Sequence, residues 1–153
     1  MKKLSSVLLI VLLLLSSCKK QQKRDKIRLL QEMFQEMVIK KDASKIPDYY
    51  SKEFLMDSNG VTIDYDFLLE SHRAIYTTSI EYLIEYQEDT FLQQDDRVAG
   101  RMFITTKRPN EAPKRIEVIL IVQYLDDKIY RIWELTYPDW SKLPAFESMS
   151  SNG

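Results

Sequence analysis

Glu134 is the residue of this sequence best suited to acid/base chemistry, because it lies in an otherwise apolar stretch typical of a strand. If Asp126-Asp127 forms a two-residue turn, Glu134 pairs with Ile119 and shares a face of the sheet with Ile121 and Ile132. Desolvation among isoleucines raises the pKa of a carboxyl group, which can then act as a general acid or base. The alternative is that this face packs outward, with Glu134 at the rim of a dimer or paired with an arginine. A turn one residue longer would reverse the assignment of the two faces.

His72 is the only histidine of the chain. On a helix it lies one turn after Leu68 and one turn before Tyr76. If it faces a pocket, it could pair with Glu134 or orient a ligand, and its titration at about pH 6.5 would make it pH-sensitive. The alternative is a structural histidine whose hydrogen bonds are satisfied within the fold.

Nine Tyr, six Phe and two Trp residues are enough to line a pocket as well as to fill a core. A tyrosine hydroxyl could also orient a ligand carbonyl. The aromatic residues predicted to line a pocket are Tyr49, Tyr50, Phe54, Tyr76, Phe103, Trp133 and Tyr137. The alternative for each of them is a place in the hydrophobic core.

The scarcity of glycine, cysteine and histidine excludes several classes of site. Glycine-rich phosphate loops, cysteine-based zinc or iron–sulfur centres and multi-histidine metal sites all need more of these residues. The segment Asp57–Gly60 resembles the start of a calcium-binding loop, but its glycine comes too early and Leu68 stands where the final Glu is needed. We therefore expect no metal and no cofactor.

The N-terminus has the pattern of a secretory signal peptide over residues 1–17, with two lysines before an unbroken apolar run from Val7 to Leu15. That run is too short for a membrane-spanning helix, which needs roughly 20 residues. Leu15-Ser16-Ser17-Cys18 resembles a bacterial lipobox, which implies that Cys18 is acylated and becomes the new N-terminus. Several acyl chains would hold the protein stably in a bilayer. The alternative is an ordinary signal peptide.

This resemblance implies an exported protein that is anchored to a bacterial membrane through Cys18. Lysine after the cysteine favours the outer membrane in a Gram-negative cell. Cleavage removes two lysines, so the formal net charge of −1 becomes −3. Residues 18–24 begin a basic tether that either contacts anionic headgroups or only spaces the domain from the bilayer. The rest of the chain is acidic, which argues against nucleic-acid binding.

Periodicity divides residues 25–142 into helices first and strands last. Helices are predicted from Asp25 to about Lys41, over 43–51, and from Asp64 or Asp66 to about Tyr76. A hairpin at Asn59-Gly60 separates the last two helices. Strands are predicted over 80–86, 97–107, 114–125 and 128–137. The order indicates an α+β fold, with three N-terminal helices packed on a curved antiparallel sheet and a disordered tail over 143–153.

The element order, the tract Tyr50–Tyr76 and the last strand, Lys128–Pro138, resemble the NTF2-like superfamily and, within it, the SnoaL-like branch. The resemblance implies a cone with a pocket between sheet and helices. Members include polyketide cyclases, ketosteroid isomerases, dehydratases and binding proteins without catalysis. In SnoaL-like cyclases an acidic residue on the late sheet acts as acid or base, and Glu134 corresponds to it here.

The leading interpretation is a membrane-anchored domain that binds a small apolar or amphipathic ligand in the cone pocket. One alternative is a cyclase, isomerase or dehydratase that uses Glu134 with His72 or a tyrosine. Another is a protein-interaction module of the bacterial envelope. Strand 114–125 is apolar on both faces, so we expect a second copy of the chain to cover the outer face, as in many relatives.

Overall fold

The computed structural model describes residues 25–142. The predicted signal peptide, Cys18, the basic tether and the C-terminal tail lie outside the described residues. Within residues 25–142, no helix is long and apolar enough to cross a membrane.

Helices and strands follow the predicted order. The helices are α1 (Lys26–Met33), which continues as a π-helical segment (Phe34–Ile39), α2 (Ile46–Tyr49) and α3 (Tyr65–Tyr76). The strands are β1 (Tyr50–Ser58), β2 (Val61–Asp64), β3 (Glu81–Tyr86), β4 (Leu92–Gln94), β5 (Arg97–Lys107), β6 (Lys114–Leu125) and β7 (Lys128–Tyr137). Short 3-10 turns lie at Ala43–Lys45, Glu88–Thr90 and Trp140–Lys142.

Aspartate side chains start the two longer helices. The Asp25 carboxylate accepts a hydrogen bond from the backbone N–H of Arg28, and the Asp64 carboxylate accepts one from Phe67. Each satisfies a backbone donor that has no partner within its helix. The predicted second helix is much shorter than 43–51, because Tyr50 already has extended backbone angles and begins β1.

The described strands form one sheet in the order β2-β1-β7-β6-β5-β3, with β4 paired to β5. The predicted hairpin is confirmed, since Asn59 and Gly60 both have positive φ between β1 and β2. The four strands predicted over residues 80–137 pair antiparallel as expected, but the hairpin strand β1 also joins the sheet and lies parallel to β7. The short strand β4 was not predicted.

The β6–β7 hairpin corrects the predicted register of Glu134. Asp126 and Asp127 do form a two-residue turn with positive φ. A bulge then shifts the pairing by one residue, since Tyr124 pairs with Ile129 but Gln123 pairs with Arg131. Glu134 therefore lies opposite Leu120 and not opposite Ile119, which pairs with Leu135.

The core lies between the helices and one face of the sheet, which we call the inner face. On β6 the inner-face residues are Ile116, Val118, Leu120 and Val122, all of them buried. They pack with Leu30 and Met33 of α1 in a single hydrophobic cluster. The alternate residues of the same strand form the outer face, where Ile119 is 51% exposed.

Lys26 ties the start of α1 to the far end of the sheet. Its side chain is buried, and its ammonium group pairs with the Asp127 carboxylate and lies 3.9 Å from that of Asp96. Its ammonium also lies 5.0 Å from the centre of the Tyr124 ring. The described domain therefore begins beside the turns that join β4 to β5 and β6 to β7.

Candidate functional site

A cavity of about 200 Å³ lies between the inner face of the sheet, α1 and α3. Most of its wall consists of aliphatic and aromatic side chains. The polar side chains in the wall are those of Tyr50, Ser71, His72, Tyr76, Tyr82, Thr106, Glu134, Thr136 and Trp140. Among the described residues that line it there is no Lys, Arg or Asp. The cavity is therefore apolar, with a few polar groups and no cation in its wall.

Glu134 projects from β7 into this cavity. Its hydrogen-bond partner is Ser58 at the end of β1, which stands beside it in the parallel β1–β7 pair. The Ser58 hydroxyl is fully buried and donates a hydrogen bond to Glu134 Oε1 over 2.7 Å. Burial raises the pKa of Glu134, and the bond from Ser58 opposes this with a smaller effect. The geometry thus shifts the carboxyl group in the cavity wall toward its protonated form.

His72 lies on α3 in the wall of the same cavity. Its Nδ1 is 2.8 Å from the carbonyl oxygen of Leu68. A carbonyl oxygen only accepts, so we assign the proton of the neutral ring to Nδ1, which leaves the lone pair on Nε2. Burial lowers the pKa of His72, while the hydrogen bond to Leu68 acts weakly in the opposite direction. The imidazole is therefore a neutral group with one free acceptor.

The rings of Tyr76 and Tyr82 continue from His72 as a row of aromatic side chains along the cavity. The ring of Tyr76 meets that of His72 edge-on at 5.2 Å and that of Tyr82 at 6.3 Å. Burial raises the pKa of Tyr82 to about 12 and also raises that of Tyr76. The buried hydroxyl of Tyr76 has no hydrogen-bond partner among the described residues. Such a group is unusual and marks a place where a polar ligand atom could bind.

The structure brings Glu134, His72, Tyr50 and Tyr76 together around one cavity. The other five aromatic residues predicted to line it, Tyr49, Phe54, Phe103, Trp133 and Tyr137, are absent from its wall. Tyr49 ends α2 outside the cavity, and Phe54 is buried in the core against the ring of Tyr50.

Successive side chains of a strand point to opposite faces of the sheet, which explains why Phe103, Trp133 and Tyr137 do not line the cavity. Met102 and Ile132 point inward, so their neighbours Phe103 and Trp133 point outward. Phe103 packs under the guanidinium groups of Arg101 and Arg115, which lie 4.9 and 3.5 Å from its ring centre. Tyr137, on the same outer face of β7, is 79% exposed.

Sequence reasoning missed two polar residues beside Glu134, Ser58 and Trp140. The indole N–H of Trp140 donates a hydrogen bond to Ser58 Oγ over 2.7 Å. Ser58 directly precedes Asn59-Gly60 and is a residue type common in turns. Trp140 lies after the last strand. Only the parallel pairing of β1 with β7 brings Ser58 to Glu134, and no local pattern indicates that pairing.

No group of three or more His, Cys, Asp or Glu side chains that could hold a metal ion occurs among residues 25–142. The acidic residues at the two turns, Asp95-Asp96 and Asp126-Asp127, lie where β5 and β7 begin, whereas Glu134 pairs with Leu120 in the middle of β6, and Lys26 contacts both turns.

No protein-family model and no curated protein matches this chain. Solved structures do share its fold. One is a SnoaL-like polyketide cyclase from Agrobacterium tumefaciens, with 11% identity and a TM-score of 0.58 over 74% of this chain and 91% of that one. Another is an LEH-like epoxide hydrolase from M. tuberculosis, with 12% identity and a TM-score of 0.62 over 76% and 86%.

AclR from Streptomyces galilaeus is also similar, with 16% identity and a TM-score of 0.60 over 72% of this chain and 87% of that protein. At these identities the likeness shows the fold alone. The described domain therefore has an α+β fold with a curved sheet and few helices, which it shares with these solved structures.

Proposed function

We propose that the cavity is an acid/base site of the cyclase, isomerase or dehydratase type, and that Glu134 is its acid or base. The observation that carries this proposal is the half-buried Glu134 side chain, whose carboxyl group faces an apolar cavity and has its pKa raised by desolvation. The enzymes among the solved structures of this fold support a catalytic reading over simple binding.

The side chains that line the cavity indicate the class of substrate. There is no cation among the described residues of the cavity wall, so a bound carboxylate or phosphate would lose hydration without gaining an ionic partner. An apolar cavity of about 150 Å³ takes up benzene, so about 200 Å³ suits a compound with one ring. We expect a small, uncharged ring compound that carries an oxygen function for the polar groups of the wall.

The chemistry follows from the two protonation states. Neutral His72 offers the lone pair of Nε2, and Glu134 offers the proton of its carboxyl group. With a ketone bound, Nε2 takes a proton from the carbon next to the carbonyl group, and the electron pair moves into the enol. The Glu134 proton passes to the carbonyl oxygen. Reversal returns a proton to the carbon and restores both side chains.

Acetophenone in D₂O tests this proposal without knowledge of the natural substrate. The purified full chain in detergent micelles should exchange the methyl protons for deuterium faster than buffer does, as measured by proton NMR. Glu134→Gln keeps the shape but cannot supply the proton, so we expect a fall in rate of about a hundredfold or more, the range usual for acid/base catalysis. Equal rates for the two proteins would contradict the proposal.

Binding without turnover is the second candidate, and the apolar character of most of the wall favours it. Acetophenone would then shift the NMR signals of His72 and Tyr76 in both proteins without exchange above buffer. Benzoate has the same ring but carries a charge, so it is the matched control. Binding of benzoate equal to that of acetophenone would contradict the predicted selection for uncharged ligands.

We further propose that Cys18 is lipidated and anchors the domain to the exported face of a bacterial membrane, with residues 18–24 as the tether. The lipobox-like Leu15–Cys18 and the apolar run before it support this proposal. Cys18→Ser should abolish incorporation of labelled palmitate and move the protein from the membrane to the soluble fraction. Unchanged membrane retention would contradict it, and Ser17→Ala is the matched control, because it keeps a small residue before the cysteine.

The outer face of the sheet supports a third proposal, that two copies of the chain pack face to face. Exposed apolar residues on this face include Leu83, Ile119, Ile121, Leu135 and Tyr137. Several charged groups of this face are paired within the chain, as Arg115 with Glu85 and Arg131 with Asp57. An apolar surface whose charges are largely paired in this way fits a second copy of itself better than a charged partner.

A further inference from the structure

Trp140 approaches the carboxyl group of Glu134 from the C-terminal 3-10 turn, Trp140–Lys142. Its indole N–H donates to Ser58 Oγ over 2.7 Å, and the Ser58 hydroxyl lies 2.7 Å from Glu134 Oε1. An indole N–H can only donate, so Ser58 Oγ accepts from Trp140. The proton of the Ser58 hydroxyl is then directed to Glu134 Oε1. The order of donors is therefore fixed from Trp140 through Ser58 to Glu134.

This order distinguishes the two oxygens of the carboxyl group. Oε1 accepts the bond from Ser58, so a carboxylic proton belongs on Oε2. No described residue forms a hydrogen bond with Oε2, and Glu134 lines the cavity. We propose that Trp140, acting through Ser58, is a positioning residue that keeps the acidic proton of Glu134 on Oε2, available to a ligand. The proposal rests on the acid/base function inferred above for Glu134.

The backbone around Trp140 is held in place by Asn59. The Asn59 amide nitrogen donates to Thr136 Oγ1 over 2.6 Å and to Asp139 Oδ1 over 3.1 Å. Thr136 Oγ1 also accepts from the backbone N–H of Trp140 over 3.2 Å. The turn of the β1–β2 hairpin thus fixes the segment that carries the indole. A fixed donor can hold the Ser58 hydroxyl in one orientation, which a mobile one could not.

A purely structural role for Trp140, as an apolar part of the cavity wall, makes a different prediction. An apolar wall needs only the ring, whereas the positioning role needs the indole N–H. The NMR signal of the indole N–H distinguishes the two roles. Because Ser58 links it to Glu134, its NMR signal should respond when Glu134 loses its proton.

The test is a pH titration of the two indole N–H signals and the Glu134 carboxyl carbon by NMR, in the full chain in detergent micelles. The chain has two tryptophans, so Trp133 on the outer face is an internal control. We expect the Trp140 signal to shift with the midpoint of Glu134, and this shift to disappear in Glu134→Gln. The Trp133 signal should show no shift at that midpoint. A Trp140 signal indifferent to Glu134 would overturn the proposal.

Substitution provides the second measurement. Trp140→Phe keeps an aromatic wall but loses the donor, so the bond from Ser58 to the carboxylate weakens and the midpoint of Glu134 moves upward. Ser58→Ala should move it further in the same direction, because the Ser58 bond favours the charged form. Trp133→Phe is the matched control and should leave the midpoint unchanged. An unchanged midpoint in a folded Trp140→Phe variant would overturn the proposal.

Different results would contradict the acid function of Glu134 and the positioning role of Trp140. An unperturbed midpoint for Glu134 in the wild-type protein would defeat the acid function, even if the Trp140 signal followed it. A raised midpoint that Trp140→Phe does not alter would defeat the positioning role and leave the acid function intact.

Discussion

Burial acts in opposite directions on the carboxyl group and the imidazole of the cavity. It raises the pKa of Glu134 and lowers that of His72, because in each case it disfavours the charged form. Burial therefore shifts both side chains toward their neutral forms. A neutral acid and a neutral base in one cavity are what proton transfer to and from an uncharged substrate requires.

The lowered pKa of His72 has a consequence for stability. In the unfolded chain His72 takes up a proton below about pH 6.5, while in the folded protein it resists protonation until a lower pH. Its contribution to stability is therefore present above pH 6.5 and is lost as the pH falls toward the folded pKa. Thermal unfolding of wild type and His72→Gln from pH 7 to pH 5 should show a steeper fall for the wild type. Parallel curves would contradict the assignment.

The contribution of Glu134 to stability depends on pH in the opposite direction. Its folded pKa lies above the unfolded one, so its contribution is present below the unfolded pKa and is lost as the pH rises through the folded pKa. Within that window the free energy of unfolding should change by about 1.4 kcal/mol per pH unit relative to Glu134→Gln. Chemical denaturation at a series of pH values measures this difference. A constant difference between the two proteins from pH 4 to pH 8 would contradict it.

At the scale of the elements, close packing requires a glycine at position 100 of β5. A Cβ atom at Gly100 would lie 2.4 Å from the nearest atom of the Phe91 ring, and Phe91 is itself buried. Gly100→Ala should therefore lower the free energy of unfolding by about 1–3 kcal/mol, as overpacking does elsewhere. Denaturant unfolding measures the loss.

Phe91→Leu supplies the control for that prediction, because a smaller side chain makes room for the new methyl group. The double variant should be more stable than the sum of the two single losses implies. Strict additivity would show that the ring of Phe91 is not the cause.

The elements also show which features follow from sequence and which do not. Alternation in Lys114–Leu125 and the aspartates at 126 and 127 predict a hairpin, because these patterns act over a few residues. The bulge near Tyr130 and the parallel contact of β1 with β7 depend on residues far apart in the chain. For this reason the sequence indicates that Glu134 belongs to the site but does not reveal Ser58 or Trp140.

At the scale of the whole molecule, the apolar outer face of the sheet predicts self-association. Light scattering of the full chain in detergent micelles, corrected for bound detergent, should give the mass of a dimer. Leu135→Glu places a charge on the face, where Leu135 is 64% exposed, and should yield monomers. Val61→Glu changes an exposed apolar residue of the β1–β2 hairpin, outside that face, and should not.

A monomer at all concentrations would contradict the face-to-face pairing. Association that survives Leu135→Glu would mean that another surface is used. A larger complex formed only with a second protein would favour the interaction-module alternative.

Acid/base chemistry in this cavity depends most on a raised pKa of Glu134. Titration of its ¹³C-labelled carboxyl carbon by NMR, with the signal assigned from its absence in Glu134→Gln, measures this directly. The account predicts a midpoint above the ordinary value for glutamate of about 4.3, and an upward shift when acetophenone is bound. A midpoint at or below that value would show that the cavity does not favour the protonated carboxyl group and would contradict its role as an acid.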